Sequence, residues 1–231
     1  MTKPHMSPLS GYEPLYNPDR YNDKYHIRTT HNCFAYAFDH MEPPAPDKCT
    51  KNSCPVSFHQ PGKISGYPGW NEVDGKRCPD ILARLHADVS GISLTTFDAI
   101  CDPGYSKIAL VVSPKDDYHF YRQDSNGYWS HKPGSMPVTN KDSSGNLISN
   151  PEIASRDYSG ENGGVNYERF CSYLCIPRNG AVHKFGRGGK RKKSRTVKRV
   201  KLTRRHHRKS VKLQRLSNGR RRNTIYFRKH R

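Results

Sequence analysis

The sequence predicts an α+β fold followed by a basic tail that stays outside the core. Three observations predict it. A β-branched run, Lys107-Ile-Ala-Leu-Val-Val-Ser113, leads into two aromatic segments separated by short polar turns, the pattern of an antiparallel meander. Two segments with helix-compatible residues, opening at Cys33 and at Pro79, come before it. The charge is split along the chain. Residues 183–231 carry 22 lysines and arginines and no acidic residue, leaving 18 basic against 20 acidic residues in 1–182. A body of net −2 joined to a tail of +22 is neither a uniformly basic globule nor an acidic disordered chain.

Residues 1–30, rich in proline and tyrosine and without a helical or strand period, read as an extended arm laid over the body. His31-Asn32-Cys33 opens a short apolar segment running to Asp39, with Asn32 a good N-cap and Cys33 at the first helical position. Pro43, Pro44 and Pro46 end it. Residues 47–79 form a Gly/Pro/Cys-rich loop that includes Gln60-Pro61-Gly62. From Pro79-Asp80 a second helix follows, with apolar side chains at 81, 82, 85 and 89 on one face and Gly91 closing it.

The strand 107–113 is the strongest in the chain. Tyr118 to Gln123 and Tyr128 to His131 supply the next two strands, joined by the turn Asp124-Ser-Asn-Gly127. Residues 133–168 read as loop, and Phe170 to Ile176 as a closing strand stopped by Pro177. The domain reading is therefore an arm (1–30), an α+β body (31–182) and a disordered basic tail (183–231).

All seven cysteines lie in the body: Cys33, Cys49, Cys54, Cys78, Cys101, Cys171 and Cys175. An odd count behind a polar N-terminus with no apolar signal core argues against a secreted disulfide framework and for an intracellular address. Cys49/Cys54 and Cys171/Cys175 could be halves of a zinc site or local disulfides, but neither pair has C-x2-C spacing. Buried thiols are the leading expectation, with no metal and no cofactor. No apolar run approaches the roughly 18–20 residues that span a bilayer, and no membrane partner is expected.

A cysteine at a helix start has its thiolate favoured by unpaired N–H groups, and a histidine on a nearby strand can serve as its base. His119 leads the second strand of the meander and His131 follows on the third, nearly opposed to it across the hairpin. The set Cys33, His119 and His131 thus follows nucleophile–base–orienter logic, with Asp124 or Asn126 as alternative orienters.

This order resembles papain-like cysteine peptidases and amidases of the NlpC/P60 and CHAP type. The resemblance implies Cys33 as nucleophile, His119 as base, His131 as orienting residue and a peptide or amide substrate. The string from Asp117 to Gly134, with Gln60-Pro61-Gly62 and the Phe170–Pro177 ending, is also similar to a group of uncharacterised bacterial and viral proteins. The histidine segment departs from the usual Gly-His-Val-Gly of NlpC/P60 domains. Its neighbours are Tyr118, Phe120 and Tyr121, which implies an aromatic-walled cleft or a fold that kept the architecture and lost the reaction.

Three basic clusters mark the tail: Lys190, Arg191, Lys192 and Lys193; Arg204, Arg205, Arg208 and Lys209; and Arg220, Arg221 and Arg222. Each cation that meets a phosphate releases condensed counterions, so nucleic acid or another polyanion is the expected partner. No aromatic residue interleaves with them before Tyr226, so base stacking and sequence readout are minor. The tail is similar to those of large DNA virus proteins, implying a nucleus, virus factory or virion. The leading expectation is a thiol hydrolase tethered by this tail. Its rival is a non-enzymatic, nucleic-acid-binding structural protein with an inactive body.

Overall fold

The β-branched run lies at the centre of a five-stranded antiparallel sheet of order β1-β5-β2-β3-β4. The strands are β1 Ser93–Thr95, β2 Tyr105–Ser113, β3 Asp117–Gln123, β4 Trp129–His131 and β5 Arg169–Pro177. The computed structural model describes residues 4–51, 53–70, 76–160 and 164–178. All of these belong to Met1–Lys190, the first of two units into which the chain divides, the second being Arg191–Arg231. The basic clusters of the tail lie outside the described residues.

The α+β class is as the sequence predicts, and so is the meander β2-β3-β4. Leu110 pairs with Phe120 and Val111 with His119 across β2 and β3, while Tyr121 pairs with His131 across β3 and β4. Every residue of β2 after Tyr105 is buried, because the sheet is covered on both faces; this explains its continuous apolar run. β5 returns beside β2 with a register shift between Leu110 and Val111. The edge strand β1 escapes sequence reading, since Ser93 and Leu94 are exposed and only three residues pair.

The helices are α1 Asp19–Asn22, α2 Tyr25–Thr30, α3 Cys33–Ala37 and α4 Cys78–Asp88, with a 3-10 turn at Pro46–Lys48. Two of them correct the reading of residues 1–30 as wholly extended: α1 and α2 bury Tyr21, Ile27 and Thr30. The described residues before α1 carry no helix or strand and are hydrogen-bonded to the body. The Ser7 hydroxyl donates to the Phe97 carbonyl at 2.6 Å, and Gln123 Nε2 donates to the Ser7 carbonyl at 2.8 Å. The buried Lys107 ammonium reaches the Ser7 hydroxyl at 2.6 Å and the Phe97 carbonyl at 2.9 Å. α3 begins where Asn32 predicts, the Asn32 Oδ1 accepting the Ala35 N–H at 3.2 Å.

One face of the sheet carries Ile108, Leu110, Val112, Tyr118, Phe120, Leu174 and Ile176. Packed on it are Cys33, Phe34, Ala37 and Phe38 from α3 and its end, and Ile81, Leu85 and Val89 from α4 and its end. The other face carries Ala109, Val111, Tyr121, Trp129 and Tyr173, covered by Phe97 and by Ile148 from the 133–168 loop. At the end of α3, Arg178 donates to the Ala37 carbonyl at 2.9 Å and to the Ser106 hydroxyl at 2.7 Å, answering a carbonyl the helix leaves unpaired.

Six cysteines are paired, which corrects the expectation of buried thiols at these positions. Cys49 joins Cys54 locally, whereas Cys78–Cys171 and Cys101–Cys175 close separations of 93 and 74 residues and both end on β5. Cys33 is free and buried. The pairs across the fold have no spacing signature, because the sheet brings together residues that are remote in sequence.

Candidate functional site

The residues expected to act together are separated by the alternation of β3. Successive side chains of a strand point to opposite faces, so Tyr118 and Phe120 meet the helices while His119 and Tyr121 meet the loop. Cys33 packs among the helix-side residues and its thiol donates to the Tyr118 carbonyl at 3.9 Å. His119 instead engages His131, Nε2 to Nδ1 at 2.7 Å. Among the described residues no hydrogen bond joins Cys33 to His119, and the expected nucleophile–base pair is not formed.

Electrostatic coupling crosses this division, since Asp117 and Tyr167, which line the cleft beside His119, both interact with Cys33. Burial pushes the Cys33 thiol up to about 12, and the Asp117 carboxylate adds to the rise. α3 is five residues long, and its first-turn N–H groups do not offset that desolvation. The Tyr118 hydroxyl donates to Gln60 Oε1 at 2.7 Å, and Trp70 Nε1 donates to the same oxygen at 3.2 Å. The Gln60-Pro61-Gly62 turn is held by Asp88, whose carboxylate accepts the Gly62 N–H at 2.6 Å and the Ser65 N–H at 2.9 Å. At Gly62 φ is +81°, and a Cβ would lie 2.8 Å from Arg84 Cγ and from Tyr67 Cβ, so glycine is required there.

The histidine pair opens onto a cleft of about 700 Å³ whose lining includes Asp117, Tyr158, Tyr167 and Lys141. His131 Nε2 lies 3.0 Å from the Lys141 carbonyl and must donate to it. His131 Nδ1 is then the acceptor for His119 Nε2–H, which leaves the lone pair of the neutral His119 ring on Nδ1. Burial lowers both pKa values: His119 falls well below 6.5, with His131 contributing, and His131 falls to about 4. The pair is uncharged at neutral pH and makes a weak base.

The sequence places His119 and His131 together, and the structure does too, on a diagonal of the hairpin. The alternative orienters do not reach His119. Asp124 accepts from Arg122 Nε at 2.9 Å, and Asn126 Oδ1 accepts the Tyr128 N–H at 3.0 Å. Sequence reading missed Tyr158 and Tyr167, which sit in a segment with no periodic signal; the Tyr167 hydroxyl donates to Asp117 Oδ2 at 3.3 Å. Lys132 fixes the rim, donating to the carbonyls of Arg28, Gly134 and Met136, with its own pKa lowered to about 7 by burial.

No protein-family model and no solved structure matches the chain. Insoluble matrix shell protein 1 of Ruditapes philippinarum is 36% identical to it over 130 residues, 56% of this chain and 74% of that protein. The chain belongs to the family of that shell protein. For this member of the insoluble matrix shell protein 1 family, no helix among the described residues is long and apolar enough to cross a membrane.

Proposed function

We propose that the chain is a non-catalytic structural protein of an extracellular matrix, with a disulfide-tied body and a basic segment that holds a polyanion. The observation that carries this reading is the charge partition, −2 over residues 1–182 against +22 over residues 183–231. A run of that density with no acidic residue binds polyanions through counterion release, whatever their covalent backbone. Three disulfides fit an oxidising compartment better than a nucleus or a virus factory. The relative whose name describes an insoluble shell matrix protein supports the same address.

The thiol hydrolase is the reading against which this one is set. It needs an accessible Cys33 thiolate beside His119, whereas the burial of the thiol and its bond to the Tyr118 carbonyl favour a packing role. Binding decides the positive claim. Full-length protein should bind an acidic polysaccharide such as heparin, and duplex DNA, without sequence preference. The logarithm of affinity should fall linearly and steeply with the logarithm of salt. Protein ending at Val182 should lose most of that binding and remain folded. Strong binding retained by the shortened protein would refute the partition.

A further inference from the structure

Behind α3, outside the histidine cleft, lies a second group of chemistry-bearing side chains. His40 and Glu42 follow the helix, and His59 precedes the Gln60-Pro61-Gly62 turn. One ligand atom from each lies within 4.8 Å of the other two. His40 Nε2 is 3.6 Å from Glu42 Oε2, and the His40 and His59 rings meet edge to face with centroids 4.7 Å apart.

The residues that start α3 also hold these three in place. Asp39 has φ of +54°, turning the chain sharply after the helix. Its carboxylate is gripped by Arg20 at 2.8 Å and Arg122 at 3.1 Å. The His40 N–H then donates back to the Ala35 carbonyl at 2.8 Å. His31 Nε2 accepts the Glu42 N–H at 3.1 Å, while its Nδ1 donates to the Ile27 carbonyl at 2.9 Å. Asn32 Nδ2 donates to the His59 carbonyl at 3.0 Å. Burial is graded from His59, fully buried, through the His40 side chain at 18% exposure to Glu42 at 62%. The group therefore opens to solvent on its carboxylate side.

We propose that His40, Glu42 and His59 bind one divalent transition-metal ion of the zinc class. Tetrahedral zinc with bonds of about 2.0–2.2 Å sets its ligand atoms roughly 3.4 Å apart. The His40–Glu42 separation is already close to that value, and the three ligand atoms all lie within 4.8 Å of one another. Two imidazoles and one carboxylate suit Zn²⁺ and its neighbours, whereas Ca²⁺ and Mg²⁺ require six or more oxygens. The solvent side leaves the fourth position to water or to an exogenous ligand. His31 and Asn32 act as positioning residues, each holding the backbone of a ligand.

The test is titration of the full-length, disulfide-bonded chain with Zn²⁺, and with Co²⁺ as an optical probe. The expected result is one tight Zn²⁺ per chain, with visible Co²⁺ bands of tetrahedral intensity and no comparable uptake of Ca²⁺. His40→Gln and Glu42→Gln, on partly exposed side chains, should each weaken binding more than about 10-fold and extinguish the Co²⁺ bands. His59→Gln should do the same, with circular dichroism to check the fold of that buried variant. A His206→Gln/His207→Gln double variant should leave the tight site unchanged. Zn²⁺ uptake that survives His40→Gln and Glu42→Gln, uptake abolished by the His206/His207 change alone, or the absence of tight uptake would overturn the proposal.

Discussion

Two adjacent residues of β3 face different environments. Phe120 meets α3 and the α4 helix in a packed apolar layer that also holds Cys33. His119, one residue earlier, meets His131, Tyr121 and Tyr167 at the wall of a cleft. The helix side of the sheet is apolar throughout, whereas the loop side carries its own buried layer at Ala109, Val111, Tyr121 and Trp129 and becomes hydrogen-bonded and partly open only around His119. The comparison teaches that a cysteine and a histidine in the right order along the chain make a dyad only if the pleat turns both toward the same space.

The largest expected effect breaks the comparison if the faces are in fact equivalent. Phe120→Ala empties part of the helix-side core and should cost about 3–5 kcal/mol. Tyr167→Phe at the cleft removes one long hydrogen bond to Asp117 and should cost under about 1 kcal/mol. Denaturant titration of the two variants measures both, and equal costs would remove the distinction.

Loss of the Cys78–Cys171 disulfide comes next, since it ties α4 to β5 and packs against the same layer. A Cys78→Ser/Cys171→Ser variant should lose about 2–4 kcal/mol by the same measurement. A loss near zero would mean that the helix-side packing holds β5 unaided.

The cleft side should be the acid-sensitive one. His131 takes its proton near 4 when folded and near 6.5 when unfolded, so the unfolded chain holds more protons across that interval. Stability should therefore fall as pH drops through this window, by up to about 3 kcal/mol from this group. His131→Gln should flatten the decline, as read from denaturation midpoints between about pH 7 and about pH 4. An unchanged slope would assign the acid sensitivity to other groups.

Particular residues show what could be read from the sequence. The run from Lys107 to Ser113 and the Asp124–Gly127 turn carry strand and hairpin signals in adjacent residues, and β2, β3 and β4 follow them. Asn32 caps α3 because capping is a local interaction. Short α1 and α2 lie in the arm, where no apolar period announces them, and β1 has too few residues to show alternation. The disulfides ending at Cys171 and Cys175 depend on β5 lying beside β2 and β1, a long-range pairing. For the candidate site, the hairpin places His119 beside His131, and both ends of that contact are legible. That Cys33 faces Tyr118 and Phe120 depends on which side of the sheet α3 covers, which no periodicity in either segment specifies.

The central claim is that Cys33 is a packing thiol separated from the histidine pair. Alkylation of the native, disulfide-bonded protein by iodoacetamide at neutral pH tests it most directly. The account predicts that Cys33 stays unmodified until denaturant is added, and that His119→Ala leaves its rate in the native protein unchanged. Rapid modification of Cys33 in the native protein, slowed by His119→Ala, would contradict it.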